Sequence, residues 1–363
     1  MKASFQDSNP KRQKLINTSN KLQSDSEPPS ITTIESLREH LQLAIELELS
    51  TIPPYLCALY SIKDGANLVA TNIIKSVVVE EMLHMVMAAN ILNAIGGTPV
   101  IDTKASVPKY PSFLPHSDQA FKVHLLKFSK EAIETFLKIE KPAASTEQPQ
   151  AHNYHTIGQF YRAIRLGLIY VAGHTGNNIF NGDPGRQIRP EYYYGGGGNI
   201  IPVTSLDEAL QAIDEIEGQG EGIDGTIDDP DHQLFGEGIE YAHYFRFNEI
   251  YYEQFYQPKD SPQSPPTGQK IDIDWGAVYN MKPDPTLDDY EKGSELWNKA
   301  LEFNKVYKAL LVNIHKACNG QPALIMEGVV WMYRLKYLAV ELMKMPPNDS
   351  GYTPGPTFEF PED

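Results

Sequence analysis

Cysteine is scarce in this sequence. Only Cys57 and Cys318 occur, too few and too far apart to staple a fold together, so a disulfide scaffold is excluded. The reducing cytosol is therefore the expected compartment. Long apolar runs are lacking as well. No uninterrupted stretch reads as the roughly 20 apolar residues that a bilayer crossing needs, and Met1–Ser30 has no signal-peptide core. Positive charge is in deficit, with 31 Lys and Arg against 47 Asp and Glu, a net charge of −16 and a pI near 5.1. That balance argues against nucleic acid or an anionic membrane as partner.

What is present fits a globular protein with a sizeable core: 363 residues, 41% apolar and 21% charged. The 27 prolines and 26 glycines fall mostly between helical patterns, which predicts helices joined by long loops. Residues 1–30 read as a polar, disordered tail, and its Pro10-Lys-Arg-Gln-Lys14 run as a solvated segment rather than a nuclear-import patch.

The chain is organised around Ser76–Gly97, SVVVEEMLHMVMAANILNAIGG. Val77, Val78, Met85, Ala88, Ala89 and Leu92 recur at helical spacing, and two glycines suit its C-terminal end. Glu81 and His84 fall in the same stripe, one turn apart. A carboxylate and an imidazole facing a core are costly unless paired, and a metal ion pairs with both. A hydrogen-bonded Glu–His pair at a partly wet surface is the alternative. The helix before it, expected over Ile34–Leu59 with Thr32 or Thr33 as N-cap, places Glu48 inward with Leu41, Ala44, Ile45 and Ile52, and Glu46 outward. Pro53 and Pro54 are expected to kink or interrupt it.

Further helices are expected at Ala120–Ile139, from His155 with Thr156 as N-cap, at Ser205–Ile216 with a Ser205/Glu208 capping box, at His232–Phe255, at Asp288–Cys318 and at Ala323–Met343. The Ala120–Ile139 pattern reads as structural, without inward acids. The irregular stretch Gly173–Pro202 is either a lid or an inert excursion. Within His232–Phe255 a second Glu-x-x-His occurs, Glu240 and His243, flanked by Tyr244, Arg246 and Glu249. Arg246 is a candidate holder of a carboxylate or a surface ion pair.

Four-helix carboxylate sites for iron or manganese take one Glu from each of two helices and Glu-x-x-His from each of the other two. Here Glu48, Glu81, His84, Gln159, Glu240 and His243 are the candidate ligands of such a centre. Carboxylates with imidazoles suit iron or manganese better than zinc.

The segments ELELSTIPPYLCALYSI, VVVEEMLHMVMAANILNAIGG, HTIGQFYRAI, AHYFRF and GPTFEF resemble the ferritin-like family that includes a domain of violacein-pathway imine-dimer synthases. The resemblance implies an all-α, ferritin-like four-helix bundle over residues 31–363, with extra C-terminal helices and long loops. It also implies two iron ions (or manganese), bridged by Glu81 and Glu240, with Glu48 and His84 completing one site and Gln159 and His243 the other. The family commonly has Glu where this chain has Gln159, so a weaker second ion is expected. The expected function is a metal-dependent oxidoreductase acting on a small, amino-acid-derived molecule in specialised metabolism. The alternatives are imine or keto-acid coupling and a non-catalytic metal-binding scaffold.

Overall fold

Thr33 opens the first helix, α1 (Ile34–Ser61): its backbone is extended and its hydroxyl accepts the Ser36 N–H at 3.1 Å. The computed structural model describes residues 28–144, 146–175, 178–194, 196–222, 226–232 and 239–362. Most of the expected N-terminal tail, its Pro10–Lys14 run and Gly195 lie outside the described residues.

The expected interruption of α1 at Pro53 and Pro54 does not occur, and the helix runs through both. Pro54 has no N–H for the Ser50 carbonyl, and the Tyr110 hydroxyl donates to that carbonyl instead at 2.7 Å. After a short turn α2 (Leu68–Ala94) packs against α1, starting earlier than the sequence suggested. Gly96, at φ 74°, ends it in the left-handed region that glycine adopts freely. Although its apolar run is broken by Lys75, Glu80 and Glu81, α2 has the length and composition of a membrane-crossing helix, and 89% of its most apolar window is buried inside the protein.

The third helix is shorter than expected. α3 (Lys130–Ile139) begins at Ser129, whose hydroxyl caps Ala132. Just upstream, Val123 exchanges both backbone hydrogen bonds with Ser112, at 2.7 and 3.0 Å, which holds that part of the chain extended. Thr156 and Gln159 form the capping box of α4 (Ile157–His174), and Ser205 caps α5 (Leu206–Glu221) with Glu208 reaching back to Thr204.

The expected helix His232–Phe255 is not formed as such. Two antiparallel strands, β1 (Asp228–His232) and β2 (Ile239–Tyr241), precede a short helix α6 (His243–Tyr252). The Ala242 N–H donates to the Ile227 carbonyl at 3.1 Å, so the chain stays in the hairpin until His243. Helices α7 (Glu295–Ala317) and α8 (Leu324–Met343) form a hairpin that packs on α1 through α8. The C-terminal segment lies along α7, with Phe358 fully buried against Phe303 and Tyr307.

The described part of the stretch after α4 is stapled along α2 around residues 186–188. Asn90 donates to the Ile188 carbonyl and accepts from its N–H, at 2.8 and 2.9 Å, and Asn93 donates to the Arg186 carbonyl. Among the described residues the protein is an all-α bundle carrying one small hairpin.

Candidate metal centre

Five side chains from four helices meet in the core. α1 contributes Glu48, α2 contributes Glu81 and His84, the residue capping the C-terminus of α3 is Glu140, and α6 opens with His243. All five are buried. They form two overlapping groups: Glu48, Glu81 and His84, and Glu81, Glu140 and His243. Within each group one ligand atom per residue lies within 4.8 Å of the others, and Glu81 is common to both.

Each imidazole turns one nitrogen inward and has the other held from outside. His84 Nδ1 lies 3.7 Å from Glu48 Oε2 and 3.8 Å from Glu81 Oε1, while its Nε2 meets Gln219 Oε1 at 2.7 Å. His243 Nδ1 lies 3.0 Å from Glu81 Oε1 and 3.3 Å from Glu140 Oε2, while its Nε2 meets Glu80 Oε2 at 2.8 Å. The two rings stack with centroids 5.4 Å apart. Such outer partners fix the orientation of metal-binding imidazoles. The carboxylates are held likewise: Tyr161 donates to Glu48, Thr51 to Glu81 at 2.6 Å, and Tyr55 to Glu140.

The electrostatics of the bare site are unfavourable. Burial pushes the Glu48 carboxyl up to about 7, even against hydrogen bonding from Tyr161. Burial and then the Glu48 charge raise Glu81, and burial and then the Glu81 charge raise Glu140. Burial lowers His84, whereas around His243 the carboxylates of Glu140, Glu80 and Glu81 outweigh burial and raise the imidazole well above its ordinary value. Three crowded carboxylates and two inward imidazole nitrogens are the donor set that one or two cations would neutralise, and the residues fit a metal pair.

Behind His243 lies a second buried charge group. Arg246 clamps Glu80 through both terminal nitrogens and reaches Glu240 Oε1 at 2.7 Å and Ser76 Oγ at 2.8 Å. Burial alone would raise Glu80, but the Arg246 guanidinium and His243 bring it down to about 2.

The structure thus gathers Glu48, Glu81, His84 and His243 and places the other two sequence candidates elsewhere. Glu240 sits on β2, paired with Arg246, because the helix starts only at His243 and the three-residue spacing no longer means one face. Gln159 is occupied in the α4 capping box: its Oε1 accepts from His155 and Thr156 N–H at 3.0 and 3.2 Å, and its Nε2 donates to the Gln148 carbonyl at 3.1 Å. From α4 the residue that reaches the centre is Tyr161. Glu140 is the ligand candidate that the sequence reading missed. It continues the buried stripe Ile133–Phe136 at helical spacing, a signal hidden by its place in the last turn beside Lys141 and Pro142.

A small cavity opens beside the centre, bounded by Glu48, Glu81, His84, Glu140 and Tyr161 inside and by Glu217 and Glu221 outside. It leaves about 20 Å³ for the centre of a water-sized sphere, room for about one water. Gly158 lets the Glu221 carboxylate sit close at its rim, since a Cβ there would stand 1.8 Å from Glu221 Oε1 and push that carboxylate aside.

A sequence model of the family described as Ferritin-like matches residues 41–252, from α1 to the end of α6, a span that holds all five residues of the centre. Among solved structures, a ferritin-like protein from Caulobacter vibrioides superposes with a TM-score of 0.62, covering 91% of this chain and 100% of that one at 24% identity, a likeness of fold. No curated protein matches the sequence significantly. With more than half of its length matched by the family's sequence model, the chain belongs to the ferritin-like family.

Proposed function

We propose that Glu48, Glu81, His84, Glu140 and His243 hold a pair of iron ions, and that the protein is an oxidoreductase acting on a small organic molecule. The observation that carries this reading is Glu81: one carboxylate shared by two ligand groups, each completed by a second carboxylate and an imidazole whose outer nitrogen is held. Iron bound there supplies one-electron redox chemistry, with dioxygen as the oxidant. The chain's own residues do the rest. Gln219 and Glu80 aim His84 and His243, Thr51, Tyr55 and Tyr161 fix the carboxylates, and the apolar core keeps bulk water out. On this reading Glu140, not Gln159, completes the second ligand group, which gives no reason to expect a weaker second ion.

The cavity favours a small oxidant inside and an organic substrate at the mouth, among Lys141, Ile157, Ile216, Glu217 and Glu221. Coupling of two imine or keto-acid molecules against the metals, the second reading from the resemblance, needs far more room than one water. The test is anaerobic loading with ferrous iron followed by a dioxygen pulse. We expect about two ions per wild-type chain, oxygen uptake, about one ion in Glu140→Ala and almost none in Glu81→Ala. Iron bound equally by wild type and Glu81→Ala would overturn the centre, and two bound ions without oxygen uptake would overturn the oxidoreductase.

A further inference from the structure

A second group of imidazoles lies well away from the carboxylate centre. His40, on α1, is eight residues before Glu48, about 12 Å along the helix. Two loop histidines face it: the His40 and His152 ring centroids are 4.8 Å apart, and those of His116 and His152 5.4 Å. All three line an open cavity of about 510 Å³ together with Arg38, Glu39 and Gln42.

His40 is the informative member. It is only 3% exposed, and its Nδ1 lies 2.7 Å from the Ser36 carbonyl oxygen. A carbonyl only accepts, so Nδ1 carries the hydrogen and the lone pair is on Nε2. That Nε2 is buried and has no hydrogen-bond partner among the described residues. Burial, and then the neighbouring His152 and His116, hold the ring below its ordinary pKa, against the pull of the Ser36 carbonyl and Glu39. A neutral imidazole with one nitrogen anchored on a backbone carbonyl and the other bare is arranged as a metal ligand is.

The other two histidines are already paired. His116 Nδ1 and His152 Nδ1 are 3.2 Å apart. Two nitrogens bound at 2.0–2.1 Å to one tetrahedral ion stand about 3.3 Å from each other. Their loops are zipped together: Asn153 N–H donates to the His116 carbonyl at 2.8 Å, Asp118 N–H to the Tyr154 carbonyl at 3.0 Å, and Tyr154 hydroxyl to the Pro115 carbonyl at 2.6 Å. Both rings are exposed, and since the ligand nitrogens of the three histidines do not all lie within 4.8 Å of one another, closing on one ion requires His116 and His152 to turn toward His40.

We propose that His40, His116 and His152 form a separate binding site for a late first-row divalent cation such as zinc, with the open cavity leaving a fourth position to water or Glu39. Three neutral imidazoles suit zinc, copper or nickel, whereas the carboxylate-rich centre suits iron or manganese, so the two sites differ in the ion they take.

The test uses the full chain without an affinity tag and zinc alone as probe, in the Glu81→Ala background that disables the carboxylate centre. Competition with a chromophoric chelator should show one zinc per chain, and adding His116→Ala or His152→Ala should weaken it at least tenfold, with an unchanged melting curve for His152→Ala. Both positions are exposed, and because His116 stands at φ 56°, where alanine is less at home than histidine, His152→Ala is the variant whose folding is not at stake. Anomalous diffraction at the zinc edge should place the ion among the three rings. Zinc affinity indifferent to both histidine substitutions, or an anomalous peak elsewhere, overturns the site.

Discussion

Glu140 and Gln159 show how much one residue's local backbone decides. Gln159 carries a ligand-like side chain at the expected place in α4, but it is the third helical residue after Thr156, where a side-chain oxygen is drawn to the free N–H groups of the helix start. Gln159→Glu should therefore leave iron content unchanged, and Gln159→Ala should cost about 1 kcal/mol of stability, both read by metal analysis and urea unfolding. Gly158→Ala should also cost about 1 kcal/mol, because the added carbon pushes the Glu221 carboxylate aside and breaks its acceptance from the Ala143 N–H at 2.9 Å. Glu249 gives a pH dependence away from the centre. Burial raises its carboxyl to about 7, against the opposing pull of the Tyr256 N–H and Arg246. The folded state then holds the proton after the unfolded chain has released it, so this group's contribution to stability falls as pH rises from about 4.5 to 7. Glu249→Gln should raise the melting temperature at pH 8 and leave it nearly unchanged at pH 4. An equal gain at both values would remove the explanation. Glu48, Glu81 and His84 stand out in the sequence as charged or polar residues in an apolar stripe, whereas His243 stands out only through its spacing from Glu240, a residue the hairpin places elsewhere. Glu140 and Glu80 were not legible, since their burial depends on partners, Tyr55 and Arg246, that come from distant parts of the chain.

At the level of elements, the helices with a side-chain cap and a long apolar stripe were legible, and the failures share one cause. The expected helices at 120–139 and 232–255 each contain a stretch whose backbone hydrogen bonds go to another segment: Val123 to Ser112 in the first, Ala242 to Ile227 in the second. Periodicity cannot register a competing partner far away in sequence. The same logic explains the survival of α1 through Pro53 and Pro54, where Tyr110 accepts the task of satisfying the Ser50 carbonyl. Tyr110→Phe should cost about 1–2 kcal/mol by leaving that carbonyl unpaired, measured by urea unfolding. The hairpin also explains Arg246, which locks β2 and α6 onto α2 through Glu240 and Glu80. Truncating it leaves Glu80 buried with His243 as its remaining counter-charge.

For the whole molecule, the central issue is that the fold places three carboxylates where they repel one another. The bundle around them is rich in buried apolar side chains contributed by every long helix, and the α7–α8 hairpin with the C-terminal segment packs outside it. That apolar burial is the dominant stabilising contribution, so the centre can be electrostatically unfavourable without unfolding the protein. Removing one of the carboxylates from the metal-free chain should then be neutral or stabilising, whereas a merely structural Glu–His network would lose about 3–5 kcal/mol when one partner leaves the other buried and unpaired. Metal bound as proposed would reverse the balance. Ferrous iron at a hundredfold excess over its dissociation constant should add about 2.7 kcal/mol to the folded state, a rise of about 3–4 °C for a chain of this size. Thermal melting of wild type and Glu81→Ala, each with and without iron under anaerobic conditions, separates the two cases. A metal-free Glu81→Ala protein as stable as wild type, with an iron-dependent rise confined to wild type, is the expected result. A large loss in the metal-free variant, with no response to iron in either protein, would mean that Glu81 holds the bundle together instead of holding metal.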